Sequence, residues 1–145
     1  MSSYINDDLR YLVASRANHL CEYCLIAEEN TFFGCQVDHI ISLKHGGPTE
    51  PNNLAYACAF CNRHKGSDIA SIVPETGNLI RFYNPRIDKW ADHFRLNGSM
   101  IESATETGEA AARILGFNSK DRILEREALM GIGSYPTAEA LARMQ

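Results

Sequence analysis

Four cysteines in two pairs are the residues of this sequence whose types and spacing best suit a metal ion. Cys21 and Cys24 form one Cys-x-x-Cys pair, and Cys58 and Cys61 form the second. Two cysteines in such a tight turn can reach one tetrahedral ion, and a second turn of the same kind completes the four-ligand shell. Four thiolates leave no position for water, so the spacing predicts a structural zinc ion that does no chemistry.

Two other interpretations of these cysteines stay open at this point, namely a redox-active dithiol or buried apolar residues. A redox dithiol needs only one Cys-x-x-Cys pair, on a thioredoxin-like βαβ pattern that the sequence lacks. The fifth cysteine, Cys35, is expected to be a small buried residue of its strand and not a ligand. No secretion signal is visible at the start of the sequence, which predicts a cytoplasmic protein without a disulfide framework.

Asp38 and His39 form a second group of polar residues, placed inside the apolar, β-branched run 36–41. A buried carboxylate and imidazole without partners would cost several kcal/mol, so each side chain needs a partner or a ligand. The alternative to a functional site is a surface hydrogen bond between Asp38 and His39. Because neighbouring residues of a regular strand face opposite sides, both can serve one site only if the strand is distorted or ends there.

Composition and charge are those of an ordinary soluble domain. The chain has 145 residues, of which 45% are hydrophobic and 22% charged, and its net charge is −4. We expect one domain over 1–145 and no membrane span, since the longest apolar run is too short to cross a bilayer. The acidic balance argues against a broad electrostatic grip on nucleic acid, but basic side chains outnumber acidic ones in 36–66 and 79–97.

The pattern of apolar residues and turn formers predicts an α+β arrangement with three parts: a core over 17–72, a basic strand and hairpin over 79–101, and a helical tail over 104–145. The predicted elements are a helix over about 7–18, strands over 35–42 and 54–57, a helix over 61–72, a strand over 79–83, a hairpin over 93–101, and about three tail helices broken at Gly116 and Gly131–Gly133. Phe82, Trp90 and Phe94 are predicted core residues. In the tail, the apolar residues expected to face the body are Ile114, Leu115, Ile123, Leu124 and Leu129.

Residues 21–66, taken in order, resemble the HNH endonuclease family in its bacterial, four-cysteine form. The order is Cys-x-x-Cys, Asp-His, Gly-Gly, Asn-Leu, Cys-x-x-Cys, and then Asn with Lys after it. The resemblance implies a ββα-metal core, also called a His-Me finger, that a four-cysteine zinc site holds together. The stretch "FYNPRIDKWADHF" is similar to a segment that follows this core in some bacterial members.

The same resemblance implies roles for single residues. His39 matches the general base that takes a proton from water, and Asp38 matches the acidic metal ligand before it. Asn53 matches the asparagine that orients this histidine and its loop. Asn62 stands where many members have histidine, and its side-chain oxygen is expected to bind Mg²⁺. His64 is an alternative ligand, although on a helix it would point about 200° away from Asn62.

The implied activity is metal-dependent hydrolysis of a DNA phosphodiester, with Mg²⁺ or Mn²⁺ as the catalytic ion and a 5′-phosphate and a 3′-hydroxyl as products. Arg63, Lys65 and Arg81 are predicted to contact phosphates, and Arg86 is considered with them. Two alternatives of other classes are a zinc-stabilised DNA-binding module without catalysis and a zinc-folded adaptor. RNA stays open as a substrate, and the sequence does not indicate cleavage specificity or oligomeric state.

Overall fold

A computed structural model describes residues 4–145, which contain three two-stranded antiparallel sheets and six α-helices. The helices are α1 (Asp7–Arg16), α2 (Ala59–Lys65), α3 (Trp90–His93), α4 (Glu106–Leu115), α5 (Lys120–Gly131) and α6 (Ala138–Arg143). The strands are β1 (Cys35–His39), β2 (Leu54–Cys58), β3 (Ala70–Val73), β4 (Asn78–Arg81), β5 (Phe94–Asn97) and β6 (Met100–Ser103). This is the predicted α+β class.

Strands β1 and β2 and helix α2 form the ββα unit that the resemblance implies. The two strands are antiparallel, with Cys35 opposite Cys58 at one end and His39 opposite Leu54 at the other. Every residue of β2 is buried, which fits its continuous apolar sequence. Helix α2 starts directly after β2, because the sulfur of Cys58 caps it by accepting a hydrogen bond from the amide of Cys61.

Strand β1 ends at His39 and is therefore shorter than the predicted strand over 35–42. Beyond that point the backbone turns towards Asn53: the amide of Ile40 donates to the Asn53 carbonyl at 2.8 Å. The amide of Ile41 donates to the Asn53 side-chain oxygen at 2.9 Å. A side chain thus replaces the next rung of the strand ladder, and Asp38 and His39 lie at the terminus of the strand.

The helix predicted over 61–72 is wrong in its second half. Helix α2 ends at Lys65, and Gly66 follows in a backbone conformation with φ of 52°. Such a positive φ breaks the helix and suits glycine. Residues Ala70–Val73 then form β3, which pairs with β4. The β-branched Ile72 and Val73 favour an extended chain once the helix has ended.

The core consists of two clusters that share the ββ hairpin. The larger one surrounds the four paired cysteines and includes the predicted aromatic core residues Phe82, Trp90 and Phe94, which are confirmed as buried. The smaller one packs α1 against β2. The indole nitrogen of Trp90 donates to the carbonyl of Tyr23 at 2.8 Å, which ties the segment after β4 to the first cysteine pair.

The tail has three helices, separated at Gly116 and after Gly131 as predicted. The face that α5 turns inward differs from the prediction at Leu124, whereas Leu129 packs against the larger core as predicted. Leu124 is 52% exposed, whereas the buried residues of this helix are Arg122 and Arg126. None of the helices within residues 4–145 combines the length and the apolar character that crossing a membrane requires. The extent of the domain over 1–145 stays a prediction.

Candidate metal centre and active site

The four paired cysteines form one buried cluster. Their sulfur atoms all lie within 4.8 Å of one another, and no other group of His, Cys, Asp and Glu side chains in residues 4–145 forms such a cluster. The cysteine cluster consists of Cys21, Cys24, Cys58 and Cys61. Cys35 is only half-buried and is not part of it.

The geometry of the cysteine cluster fits zinc. Bonds of about 2.3 Å to a tetrahedral ion put neighbouring sulfur atoms about 3.8 Å apart. The sulfur atoms of Cys24 and Cys58, one from each pair, lie 3.7 Å apart. Within the pairs, the amides of Cys24 and Cys61 donate to the sulfur atoms of Cys21 and Cys58, each at 3.5 Å. Amide donors to sulfur stabilise the thiolate form that zinc requires.

The first pair lies in a turn that the backbone closes tightly. The amide of Cys21 donates to the carbonyl of Ile26 at 2.8 Å, and the amide of Leu25 donates to the carbonyl of Cys21 at 2.9 Å. Leu25 has a φ of 64°, which is rare for a side chain of this size. Leu25 is completely buried, so packing around its side chain holds this conformation in the turn that carries the first cysteine pair.

Asp38 lies at the end of β1 and faces α2. Its carboxylate forms an ion pair with the ammonium group of Lys65, at 3.0 Å. The Lys65 ammonium also donates to the carbonyl of His39 at 3.0 Å. Burial raises the pKa of the Asp38 carboxyl above its ordinary value, and the Lys65 charge acts in the opposite direction. Lys65 therefore ties the end of helix α2 to the end of strand β1.

His39 is half-buried beside the loop that joins the two strands. Its Nε2 atom lies 2.9 Å from the hydroxyl oxygen of Thr49. This contact fixes the orientation of the ring. Sequence reasoning did not single out Thr49, because one hydroxyl in a loop rich in Gly, Pro and Asn has no distinctive spacing.

Asn53 is buried and braces the loop that follows His39. Its Oδ1 atom accepts from the amide of Ile41, and its Nδ2 atom donates to the carbonyls of Ile41 and Pro48, each at 2.9 Å. Gly47 packs so closely against this brace that a Cβ there would lie 1.7 Å from the Ile41 oxygen and 2.8 Å from Asn53 Nδ2. Only glycine fits at that position of the Gly-Gly pair.

Asn62 lies on the face of α2 that covers β1. Its Nδ2 atom donates to the side-chain oxygen of Gln36 at 2.8 Å. Gln36 and Asp38 share one face of the strand, because side chains alternate along it. Asn62 and Lys65, three residues apart on the helix, contact these two residues in the same order. The α2 helix therefore lies across the β1 strand with Asn62 and Asp38 on their common side, where their oxygens offer the donor chemistry that Mg²⁺ prefers.

His64 points away from that face. Its Nδ1 atom lies 2.8 Å from the carbonyl oxygen of Phe60 in the preceding turn. A Cβ on Gly116, at the end of α4, would lie 3.7 Å from its ring. The structure therefore places His64 against the tail and not beside Asn62.

The three cations predicted to contact phosphates are placed differently from one another. Lys65 is 3% exposed and braces α2 against β1 through Asp38 and His39, and phosphate contact by Lys65 stays a prediction. Both terminal nitrogens of the Arg81 guanidinium donate to the carboxylate oxygens of Asp88, at 2.8 and 3.0 Å. Arg63 is exposed and lies over the Phe60 ring at 5.3 Å. Phosphate contact by Arg63 and by Arg81 stays a prediction.

Arg86, a further candidate for phosphate contact, forms an ion pair within the protein. Its guanidinium forms a very close ion pair with Glu22, whose side chain is completely buried between the first two cysteines. The other terminal nitrogen of Arg86 donates to the carbonyl of Leu54 at 3.2 Å. The buried acid in the Cys-x-x-Cys turn explains why this arginine is held inward.

Arg122 of helix α5 contacts the cysteine cluster. It donates to the sulfur of Cys24 at 2.9 Å and to the sulfur of Cys58 at 3.5 Å. The thiolates of Cys24, Cys61 and Cys58 raise the pKa of this guanidinium, although its burial acts to lower it. No sequence pattern pointed to this contact, because Arg122 lies far beyond the second cysteine pair in an otherwise ordinary helix.

Comparison with known proteins bears on the segment that contains both sites. Residues 21–68 match the family model described as HNH endonuclease. No curated protein and no solved structure matches the chain. The match starts at the first cysteine of the cluster and ends just beyond α2, so it spans the whole ββα unit. The resemblance seen in the sequence is confirmed: residues 21–68 of this chain match the HNH endonuclease domain.

Proposed function

We propose that this protein is a metal-dependent endonuclease that hydrolyses DNA phosphodiester bonds, with His39 as the general base. The observation that carries the proposal is the placement of His39 at the terminus of β1 inside an HNH-family segment, with its loop braced by Asn53. HNH domains typically act on nucleic acids, and this arrangement supplies an imidazole held by Thr49 at the end of the strand that carries the Asp38 carboxylate.

In the proposed reaction His39 takes a proton from the attacking water. Nε2 lies 2.9 Å from the Thr49 hydroxyl oxygen, and in the tautomer whose Nε2 donates to that hydroxyl, Nδ1 is the nitrogen that accepts the proton. A histidine is suited to this step because its reference pKa of about 6.5 lies near neutral pH. Asn53 holds the backbone that follows the histidine, which keeps the ring in place.

Asp38 and Asn62 would hold the catalytic cation, since a carboxylate and an amide oxygen form a donor set that suits Mg²⁺ or Mn²⁺. The bound cation would polarise the phosphate and stabilise the charge on the departing 3′ oxygen. Lys65 contacts Asp38 through one carboxylate oxygen. It also holds the His39 carbonyl, and these two contacts keep the candidate ligand and the candidate base in register.

One observation favours the second candidate, a zinc-stabilised DNA-binding module without catalysis. The carboxylate of Asp38 is already neutralised by the buried Lys65 ammonium, which weakens its attraction for a cation. A cation must therefore share or displace that ion pair. The two candidates differ in what the protein does to DNA, and one experiment separates them.

The experiment incubates the purified protein with supercoiled plasmid in buffer with Mg²⁺, with Mn²⁺ or with neither, and measures zinc per chain in each sample. We expect nicking that requires the added ion and falls by at least about a hundredfold in His39→Ala. His64→Ala is the matched control, because this histidine faces the tail and should leave nicking unchanged.

Other outcomes would select other functions. Retarded plasmid mobility without nicking, at one zinc per chain, selects the binding module. Neither nicking nor retardation selects the adaptor. Equal nicking by wild type and His39→Ala would contradict the role of His39, and cleavage of RNA but not of plasmid would replace the substrate.

A further inference from the structure

Helix α5 buries an arginine against the cysteine cluster. The Arg122 side chain is 3% exposed, and its two terminal nitrogens reach the sulfur atoms of Cys24 and Cys58. These two cysteines belong to different Cys-x-x-Cys pairs. The guanidinium therefore bridges the two halves of the cluster from outside.

Burial of a guanidinium is unfavourable unless anions and hydrogen-bond acceptors replace its water. Besides the sulfur atoms, Arg122 has two neighbours of this kind. Glu125, one turn further on the helix, lies 3.4 Å from Nε and is 27% exposed. The ring of Phe60, from α2, lies 4.9 Å from the guanidinium carbon. The buried acceptors for its two terminal nitrogens are the two sulfur atoms.

The cysteine cluster needs such a cation when it holds zinc. Four thiolates and one Zn²⁺ ion carry a net charge of −2, enclosed in the interior of the protein. Backbone amides donate to the sulfur atoms of Cys21 and Cys58. Arg122 adds a full positive charge and two donors, and its shorter contact is to Cys24.

We propose that Arg122 is an outer part of the zinc centre, so that retention of the metal and docking of helix α5 depend on each other. By reciprocity, any free energy with which the docked helix tightens the metal is the free energy with which the metal tightens the docking. The tail is in this respect a component of the metal site, although it lies far outside the segment that matches the family. This inference does not rest on the proposed nuclease activity.

The test measures the rate at which zinc passes from the folded protein to a chromogenic chelator. Arg122→Met is expected to release zinc at least about tenfold faster than wild type, the usual scale for partners of metal ligands. Arg126→Met is the matched control. It removes the next buried arginine of the same helix, whose contacts are to the Ser99 and Phe117 carbonyls and Asn118, with none to sulfur. Lys120→Gln removes an exposed charge from the same helix and should leave the rate unchanged.

A second readout is spectroscopic and does not depend on stability. With Co²⁺ in place of zinc, donors to sulfur lower the energy of the sulfur electrons. We therefore expect Arg122→Met to move the thiolate-to-cobalt charge-transfer band to lower energy, and Arg126→Met to leave it in place. If Arg122→Met does not fold, Arg122→Lys keeps the charge, and a smaller shift in the same direction is expected. An unshifted band in either Arg122 variant, or equal zinc release by Arg122→Met and Arg126→Met, would overturn the proposal.

Discussion

Asn53 makes the contacts that decide the shape of the candidate active site. A single amide side chain satisfies one backbone donor and two backbone acceptors in the loop after His39. Because Asn53 is buried, no water is at hand to replace those bonds. The family resemblance implied that this residue orients the histidine and its loop. The contacts described are to the loop, and the role of Asn53 towards the histidine stays a prediction.

Asn53→Asp tests this brace with almost no change of shape. The aspartate loses both donors, which leaves the carbonyls of Ile41 and Pro48 unpaired and opposite a negative charge. We expect a loss of about 2–4 kcal/mol in the free energy of unfolding, measured by urea titration. Asn52→Asp is the control, since Asn52 is exposed and should cost less than about 0.5 kcal/mol. Equal losses in the two variants would contradict the assigned hydrogen bonds.

The Asp88 carboxylate makes the stability of the fold depend on pH in the acidic range. The Arg81 guanidinium holds the pKa of the Asp88 carboxyl below its ordinary value, and the amide of Asn84 adds to this effect. A lowered pKa means that the carboxylate stabilises the fold above the ordinary aspartate pKa of about 3.9 and loses that effect as pH falls through the lower, folded value.

Asp88→Asn should therefore unfold about 1 kcal/mol more easily at pH 7, with a difference from wild type that disappears at low pH. Urea titrations of both proteins between neutral and acidic pH measure this difference. Arg81 is 52% exposed, so added salt should reduce the difference as well. A difference that stays constant with pH would mean that the carboxylate charge is not what matters.

Helix α5 shows how far periodicity can predict an element and where it stops. The spacing of apolar residues predicts the helix correctly, and glycines mark the end of the helix before it and its own end, at Gly116 and Gly131. The predicted inward face was wrong at Leu124, because Arg122 and Arg126 are the buried residues of the helix, whereas Leu129 packs against the larger core as expected. Arginine is rarely buried without a partner, and the partners here are sulfur atoms and carbonyls far away in sequence. Nothing in the local pattern carries that information.

Leu124 and Leu115 provide a direct test of this correction. Leu115 of α4 is 2% exposed, whereas Leu124 of α5 is 52% exposed. We expect Leu115→Ala to lower the free energy of unfolding by about 2–5 kcal/mol, since it removes buried methyl groups. Leu124→Ala should change it by less than about 0.5 kcal/mol. Chemical denaturation of the two variants gives the comparison, and a large loss in Leu124→Ala would restore the original assignment.

The end of α2 is a second case, in which a glycine with positive φ ends a helix that the apolar spacing would continue. The sequence from Cys61 to Ile72 has helical spacing, but Gly66 adopts a positive φ and the chain beyond it extends. Glycine is tolerated in many helices, so its presence alone does not fix an end. The pairing of β3 with β4 decides the matter, and that pairing depends on a turn further along the chain.

Across the whole molecule, the elements with short-range patterns were predictable and the contacts between distant parts were not. The two Cys-x-x-Cys pairs, the Asp-His pair and Asn53 each stand in a recognisable order, so the ββα unit followed from the sequence. The contacts of Arg86 with Glu22, of Arg122 with Cys24 and of Lys65 with Asp38 join separate elements. Each depends on how separate elements pack against one another, which no spacing rule specifies.

Removal of zinc should affect the molecule as a whole. The cysteine cluster lies in the larger core, so a strong chelator is expected to abolish the cooperative thermal transition seen by circular dichroism, and added zinc to restore it. Cys58→Ala should behave like the chelated protein. Cys35→Ala should keep one zinc per chain and a cooperative transition, because Cys35 lies outside the cluster. A cooperative transition in the chelated protein would show that the fold does not need the metal.

The position of the cysteine cluster along the ββ hairpin has a consequence for how this protein can vary. Metal ligands flank the hairpin at its Cys35–Cys58 end, so strand register is set there and not by a tight reversal at the His39–Leu54 end. The opposite end is thereby released from the geometric demands of a short turn. It can carry a long connection in which positions outside the brace formed by Asn53 and Gly47 are able to vary, while the alignment of the two strands beneath it is preserved.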